Sequence, residues 1–376
     1  MYPLRRSEEK GRVFLRQNTE KTYIIAEAGV NHNGSLDMAL RLVDAAAKAG
    51  ADAVKFQSFK AERLVQRRAP KAAYQKQTTE AEESQYDMLR RLELPYEAQK
   101  NLLEYCGERK IDFLSTPFDE ESLDFLKDDL GLQTIKLGSG EVTNAPLLLR
   151  TAQKGVSLIL STGMSTLGEV ETALSCLAFG YLKREEVPSQ EAFLRAYASS
   201  EGRELLERQV TLLHCTSEYP APLEDVHLRS MLTMREAFGL PVGYSDHTEG
   251  IAVSVAAAAL GASVLEKHFT LDRTLPGPDH KASLEPGELA ELVRSVRQVE
   301  KALGENRKVP SPSEWENRGI VRKSLVAKRS ISRGEPFTSE NLICKRPGKG
   351  VSPFDLWRFI GKVAPRDYKE DEPLGE

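Results

Sequence analysis

The chain has 376 residues, 40% of them hydrophobic and 29% charged, with a formal net charge of −4. That length buries a sizeable core without covalent staples, and the mild acidity excludes a bulk electrostatic affinity for nucleic acid or anionic membrane. Cys106, Cys176, Cys215 and Cys344 are scattered, so neither a zinc knuckle nor a disulfide framework is indicated and reduced thiols are expected. Residues 1–22 read as a charged N-terminal extension without the apolar segment of a signal peptide. The longest apolar stretch, Ile251 to Leu265, is too short to span a bilayer. A cytoplasmic protein with no nucleic-acid and no membrane partner is expected.

From Tyr23 onward, short apolar runs alternate with amphipathic stretches. Tyr23 to Glu27 is the first strand candidate. A helix follows over 35–49, with Ser35 as N-cap and Gly50 as its stop. Ala53 to Gln57, Asp112 to Ser115, Thr134 to Leu137, Ser157 to Ser161, Val210 to His214, Pro241 to Ser245 and Ser263 to Lys267 complete eight strand candidates, and a helix over 287–303 follows the last. Eight β-α units predict a (β/α)8 TIM barrel over 23–304. A doubly wound open sheet is disfavoured because no Gly-rich dinucleotide turn follows the first strand.

Two insertions interrupt the pattern. Ser58 to Glu93 follows strand two, where barrel loops face the active site; a substrate lid and a solvated excursion are both consistent with it. Lys183 to Arg208 precedes strand six, contains a short helix over 189–197, and reads as a surface elaboration away from catalysis. Pro310-Ser311-Pro312-Ser313 marks a linker over 305–320. Beyond it, 321–376 reads as a small, mostly-β domain.

The strand ends carry the chemistry: Glu27, Lys55, Ser115-Thr116, Lys136 with Ser139 and Glu141, Ser161-Thr162, His214 to Tyr219, Ser245 with His247, and Glu266 with His268. Barrel enzymes assemble catalysis at this face from several strands. Two lysines and a set of hydroxyls suit a compact dianion such as phosphate; the plainer alternative for the lysines is an ion pair with a neighbouring glutamate. His247 and His268, about 20 residues apart at the ends of neighbouring strands, suit Mn, Zn or Fe with positions left for water and substrate. Glu27, Glu141 and Asp279 are candidates for acid–base work or for holding substrate hydroxyls.

Together the segments Ile25-Ala26-Glu27-Ala28-Gly29-Val30-Asn31-His32-Asn33-Gly34, Lys55-Phe56-Gln57, Ser115-Thr116-Pro117-Phe118, Lys136-Leu137-Gly138-Ser139-Gly140-Glu141, Ser161-Thr162-Gly163-Met164, His214 to Pro220, Ser245-Asp246-His247-Thr248 and Glu266-Lys267-His268-Phe269-Thr270 resemble the sialic acid synthase family. Lys345-Arg346-Pro347-Gly348 is similar to that family's antifreeze-like (SAF) domain. The resemblance implies condensation of phosphoenolpyruvate with N-acetylmannosamine, or a related N-acyl amino sugar, to a nonulosonic acid and phosphate. A legionaminate or pseudaminate synthase acting on a 2,4-diacetamido-2,4,6-trideoxyhexose is the alternative within the family, and a metal-dependent keto-acid aldolase a more distant one. It further implies that Lys55, Lys136, Thr116, Ser139, Ser161, Ser217 and Ser245 hold phosphoenolpyruvate. His247 and His268 then bind a divalent metal, manganese first with magnesium or cobalt as alternatives. Glu27, Glu141 and Asp279 face the sugar, Tyr219 is a substrate-binding residue, and either Glu27 or Glu266 manages the proton on the aldehyde oxygen. Arg346 reaches the partner's site in a domain-swapped homodimer. Ser217 departs from the family pattern, which often has asparagine there.

Overall fold

The computed structural model describes residues 21–72 and 83–375. The expected N-terminal extension before residue 21, and 73–82 of the expected lid, lie outside the described residues. The chain divides into two compact units between Gly304 and Glu305.

In the first unit, eight strands run parallel: β1 (Tyr23–Gly29), β2 (Ala53–Ser58), β3 (Asp112–Pro117), β4 (Thr134–Leu137), β5 (Ser157–Ser161), β6 (Val210–His214), β7 (Val242–Asp246) and β8 (Val264–His268). They pair in the order β3-β2-β1-β8-β7-β6-β5-β4, and β3 touches β4 without a shared ladder, so the ring closes there. This is the expected (β/α)8 architecture. The helix after β1 starts where Ser35 Oγ accepts the Met38 amide at 3.3 Å and stops at Gly50, whose φ of 81° is open to a residue without Cβ.

Strand periodicity decides what faces inward. Ile25, Ala53, Leu114, Ile159, Leu213 and Val264 form an apolar layer inside the barrel, distinct from the larger core between sheet and helices. Two residues further along the same strands lie Glu27, Lys55, Thr116, Ser161, Cys215 and Glu266. One turn of the pleat therefore converts an apolar plug into a polar floor.

The insertion before β6 differs from expectation. It forms two helices, Gln190–Ala198 and Ser200–Gln209, and Ala192, Ala196 and Leu206 are buried in the main core. Phe193 meets Phe179 edge-to-face at 5.2 Å. A surface elaboration would not have contributed these contacts; the apolar residues sit among enough charge to hide their periodicity.

The second unit has its own core of Leu325, Ile331, Phe337, Leu342, Tyr368 and Leu374 around an antiparallel pair, β9 (Ser324–Ala327) and β10 (Leu342–Lys345). The segment expected as a linker carries a helix, Pro312–Val321, started by reciprocal capping of Ser311 and Glu314. Pro310 and Pro312 thus introduce a helix, because proline suits its first turn. No helix of the described residues is long and apolar enough to cross a membrane.

Candidate active site

A cavity of about 400 Å³ opens at the carboxyl end of the barrel. It is lined by Glu27, Lys55, Thr116, Lys136, Ser139, Ser161, Ser217, Tyr219, Ser245, His247, Glu266, His268 and Asp279. Residues predicted from separate strands thus converge. Glu141 does not line it: its carboxylate is turned to Asn144, which donates at 2.6 Å from the start of the next helix. Arg346 belongs to the second unit, directly after β10.

The floor is a buried charge cluster. Lys55 Nζ lies 2.6 Å from Glu27 and 3.5 Å from Glu266, and donates to Thr116 Oγ1 at 3.1 Å. Lys136 Nζ lies 3.5 Å from the other oxygen of Glu266, which also accepts from Ser245 Oγ at 2.8 Å. The ion-pair alternative for the lysines is therefore realised inside the cavity itself. Burial pushes the Glu27 carboxyl up, to about 7, against the attraction of Lys55. Burial acts the same way on Glu266, but Lys136, Lys55 and the Ser245 hydroxyl outweigh it and hold that carboxyl below the usual range. One glutamate is thus set to carry a proton near neutrality and the other to stay ionised.

Two glycines shape the floor. Gly29, at φ 51°, sits at an irregularity of the β1–β2 ladder, and a Cβ there would lie 3.1 Å from Glu27 Oε1 and 3.4 Å from Gln57 Nε2. At Gly163 a Cβ would fall 2.4 Å from Ser217 Oγ and 2.9 Å from both Cys215 Sγ and Ser139 Oγ. The missing side chain leaves room where hydroxyls converge. Nearby, Ser161 Oγ is buried and has no hydrogen-bond partner among the described residues.

His247 and His268 stand side by side, ring centroids 5.5 Å apart, and the Tyr219 ring lies tilted against His247 with centroids 4.1 Å apart. His247 Nδ1 donates to the Thr216 carbonyl at 2.6 Å, which fixes the tautomer and leaves Nε2 as the lone-pair nitrogen. His268 Nδ1 is a buried nitrogen without a hydrogen-bond partner among the described residues, 3.8 Å from Asp279 Oδ2. Burial keeps both imidazoles neutral, His247 at about 4 and His268 well below its ordinary value, the form a metal requires. Among the described residues no three His, Cys, Asp or Glu side chains form a closed ligand set. The pair fits an open metal site that leaves positions for substrate.

Behind the histidines lies a second buried pair. Lys267 Nζ meets Asp246 Oδ2 at 3.1 Å and donates to the Thr248 carbonyl at 2.5 Å, while Asp246 accepts from Thr248 N, Thr248 Oγ1 and Ser254 Oγ. Asn31, just after β1, donates to Phe269 O and Ser283 Oγ on the loop after β8, and His280 of that loop shares a hydrogen bond of 2.7 Å with Thr270. These contacts hold the segment that carries Asp279.

Sequence reasoning assigned no role to Gln57 and Cys215, which line the cavity. Both follow from strand alternation, two residues beyond Lys55 and Leu213. The aliphatic residues of the Ser58 to Glu93 insertion that reach the cavity were also missed; they carry no local chemical signal.

The NeuB family model matches residues 42–308 and the SAF domain model residues 322–376. The chain is 50% identical over 357 residues to N,N'-diacetyllegionaminic acid synthase of Campylobacter jejuni, covering 95% of this chain and 100% of that one. It is 46% identical to the enzyme of the same name from Legionella pneumophila, covering 90% of this chain and 89% of the relative. A crystal structure of N-acetylneuraminic acid (sialic acid) synthetase from Leptospira borgpetersenii serovar Hardjo-bovis, in complex with citrate, superposes with a TM-score of 0.64 at 34% identity, covering 80% of this chain and 90% of that one. The chain therefore belongs to the NeuB family, as a phosphoenolpyruvate-condensing transferase with a C-terminal SAF domain.

Proposed function

We propose that the protein condenses phosphoenolpyruvate with a 2,4-diacetamido-2,4,6-trideoxyhexose and water to a legionaminate-type nonulosonic acid and phosphate. The observation that carries the chemistry is the pair of buried lysines sharing Glu266, one of them also paired with Glu27, beside two neutral imidazoles. The sugar rests on the relatives at 50% and 46% identity, both named for legionaminic acid. They favour the alternative sugar over N-acetylmannosamine, the first expectation from sequence.

In this reading C3 of phosphoenolpyruvate bonds to the aldehyde carbon, water adds to C2, and the C–O bond to phosphate breaks. Lys55 and Lys136 neutralise the entering phosphate and carboxylate, with Thr116, Ser139, Ser161, Ser217 and Ser245 as hydroxyl donors. Glu27, poised near neutrality, delivers a proton to the aldehyde oxygen as charge develops there. Glu266 stays ionised and keeps both ammonium groups aimed into the cavity. Asp279, Gln57 and Tyr219 contact the sugar near its reacting end. A divalent cation, manganese by expectation, held by His247 Nε2 and His268, supplies Lewis-acid polarisation of the aldehyde when bound. The reading includes a cytoplasmic homodimer in which Arg346 of one subunit contacts the sugar in the other; a sedimentation profile of a monomer at working concentration would remove that part.

The test is phosphate release from phosphoenolpyruvate and Mn²⁺ with a panel of 2,4-diacetamido-2,4,6-trideoxyhexoses, N-acetylmannosamine and its 6-phosphate. The diacetamido sugar of manno configuration is expected to give the highest kcat/KM. Pyruvate formation from a cleaved keto acid, with no phosphate released from phosphoenolpyruvate, would instead make it an aldolase.

A further inference from the structure

Strand alternation sends Lys55 of β2 and Thr116 of β3 into the barrel and turns Ser58 and Ser115 outward, toward the helix Tyr96–Arg109. That outer layer is largely hydrocarbon. Phe56 and Phe113 stack there with ring centroids 5.9 Å apart, and Leu94, Ala98 and Leu102 belong to the same core. Gln99, on the buried face of the helix between Ala98 and Leu102, is 1% exposed, and both serines are 0% exposed. Three uncharged polar side chains are thus buried where apolar ones would pack.

They form one directed chain. Gln99 Nε2 donates to the Leu94 carbonyl at 3.2 Å, which turns Oε1 toward the strands. Ser58 gives its single proton to that Oε1 at 2.5 Å. The 2.7 Å bond between Ser58 and Ser115 is therefore donated by Ser115. None of these side-chain atoms is a buried orphan among the described residues.

The chain lies where the backbone ladder between β2 and β3 ends. Ser58 is the register partner of Pro117, which has no amide proton to give. Beyond Ser58 the long insertion departs, and Leu94 stands where it returns. One residue before Pro117 is Thr116, whose Oγ1 accepts from Lys55 Nζ at 3.1 Å inside the cavity. No described residue accepts the proton of Thr116 itself, which leaves it for an anionic ligand.

Stability alone does not account for such a chain. Replacing a whole buried hydrogen-bonded set by apolar groups of similar shape is close to neutral. Hydrogen bonds add direction, whereas apolar contact fixes neither angle nor distance. We infer that Ser58, Ser115 and Gln99 are positioning residues for phosphoenolpyruvate: from outside the barrel they set the end of β3 against β2, and so aim the Thr116 hydroxyl and the Lys55 ammonium bound to it. The inference rests on the proposed role of Lys55 and Thr116 in holding phosphoenolpyruvate.

The experiment measures phosphate release by the full-length protein with phosphoenolpyruvate, Mn²⁺ and the diacetamido sugar of manno configuration. Gln99→Met strands the Ser58 proton, and a thermal midpoint lowered by a few degrees is expected. The triple variant Ser58→Ala/Ser115→Ala/Gln99→Met strands nothing, and its midpoint should return to within about 3 °C of wild type. Its KM for phosphoenolpyruvate is nevertheless expected to rise by about 10-fold, since small misplacements of holding groups are costly. The KM for the sugar, whose contact Gln57 shares the β2 end, should rise less. A stable triple variant with the KM for phosphoenolpyruvate within about twofold of wild type overturns the inference; so do equal rises in both KM values. Should the triple variant fail to fold, Ser115→Ala decides, because it cuts only the link to β3 and leaves the Ser58–Gln99 bond whole. A rise of about 3-fold or more in the KM for phosphoenolpyruvate supports the inference there, and a smaller one overturns it. Phosphate release by wild type alongside unchanged variants sinks this inference and leaves the condensation standing; no release by wild type with any sugar removes both.

Discussion

Asp246 and Lys267 are register partners at the ends of β7 and β8, and their 3.1 Å ion pair lies on the outer face of the same two strands whose inner face carries the Ser245–Glu266 hydrogen bond. His247 follows the aspartate and His268 the lysine. The pair therefore fixes the spacing of the two imidazoles from behind, while Thr248, bound to both partners, stops the His247 loop from rotating.

Breaking that pair should cost more than a surface ion pair would. Asp246→Asn leaves a fully buried ammonium opposite an amide, and a loss of about 3–5 kcal/mol in urea denaturation is expected. The double variant Asp246→Asn/Lys267→Met should recover most of it. Calorimetric titration of metal-stripped protein with Mn²⁺ is expected to show affinity about 10- to 100-fold weaker in Asp246→Asn, the usual effect of removing an outer-shell support. Wild-type affinity in that variant would make the pair purely structural.

Filling the gap at Gly163 should act on phosphoenolpyruvate. A methyl group there cannot coexist with Ser217 Oγ at 2.4 Å, so Gly163→Ala must displace the converging hydroxyls. The KM for phosphoenolpyruvate is expected to rise by about 10-fold or more, with the KM for the sugar moving less. Equal changes in both would place the hydroxyls elsewhere in the reaction.

Glu27→Gln keeps the shape of the floor and removes its titrating proton. A fall in kcat of about 100- to 10,000-fold is expected, the range for a positioned acid or base. A kcat within threefold of wild type would assign proton delivery to another group.

Acid should loosen the clasp around Asp279. Burial holds His32 and His280 at about 4, so between about pH 6.5 and 4 the unfolded chain binds protons that the folded chain refuses. Stability from these two is complete above 6.5 and is lost as pH falls through that window. His32 alone accounts for a slope approaching 1.4 kcal/mol per pH unit there. Asp279, raised by burial to about 6, works in the opposite sense, so the difference between wild type and variant is what decides. In urea midpoints at pH 7, 6, 5 and 4.5, His280→Gln should show a shallower decline than wild type; parallel declines would mean His280 is not buried neutral.

Much of the site was readable because strand alternation is strict. Once Lys55 is placed inward, Gln57 must follow it, and the same rule places Ser161 two residues beyond Ile159 and Glu266 beyond Val264. Glu141 escaped the rule because it lies past the end of β4, in a short turn where direction is set by the Asn144 cap rather than by a pleat. The helices before β6 were misread because Phe193 and Leu206 stand among charges, and only the facing helix, Leu167–Tyr181, shows that their apolar side has somewhere to go.

By itself the sequence determined the eight-fold alternation, the strand ends that bear lysine, hydroxyl, glutamate and histidine, and the separate C-terminal domain, since each depends on local period and residue type. The tertiary structure decided how the two glutamates differ. Glu27 and Glu266 are equal in sequence, but Glu266 sits between two ammonium groups and Glu27 beside one, and in a buried site that difference separates a carboxyl raised to about 7 from one held below the usual range. It also decided that the insertion after β2 turns an aliphatic face to the cavity, a property of packing that no single residue in that segment announces.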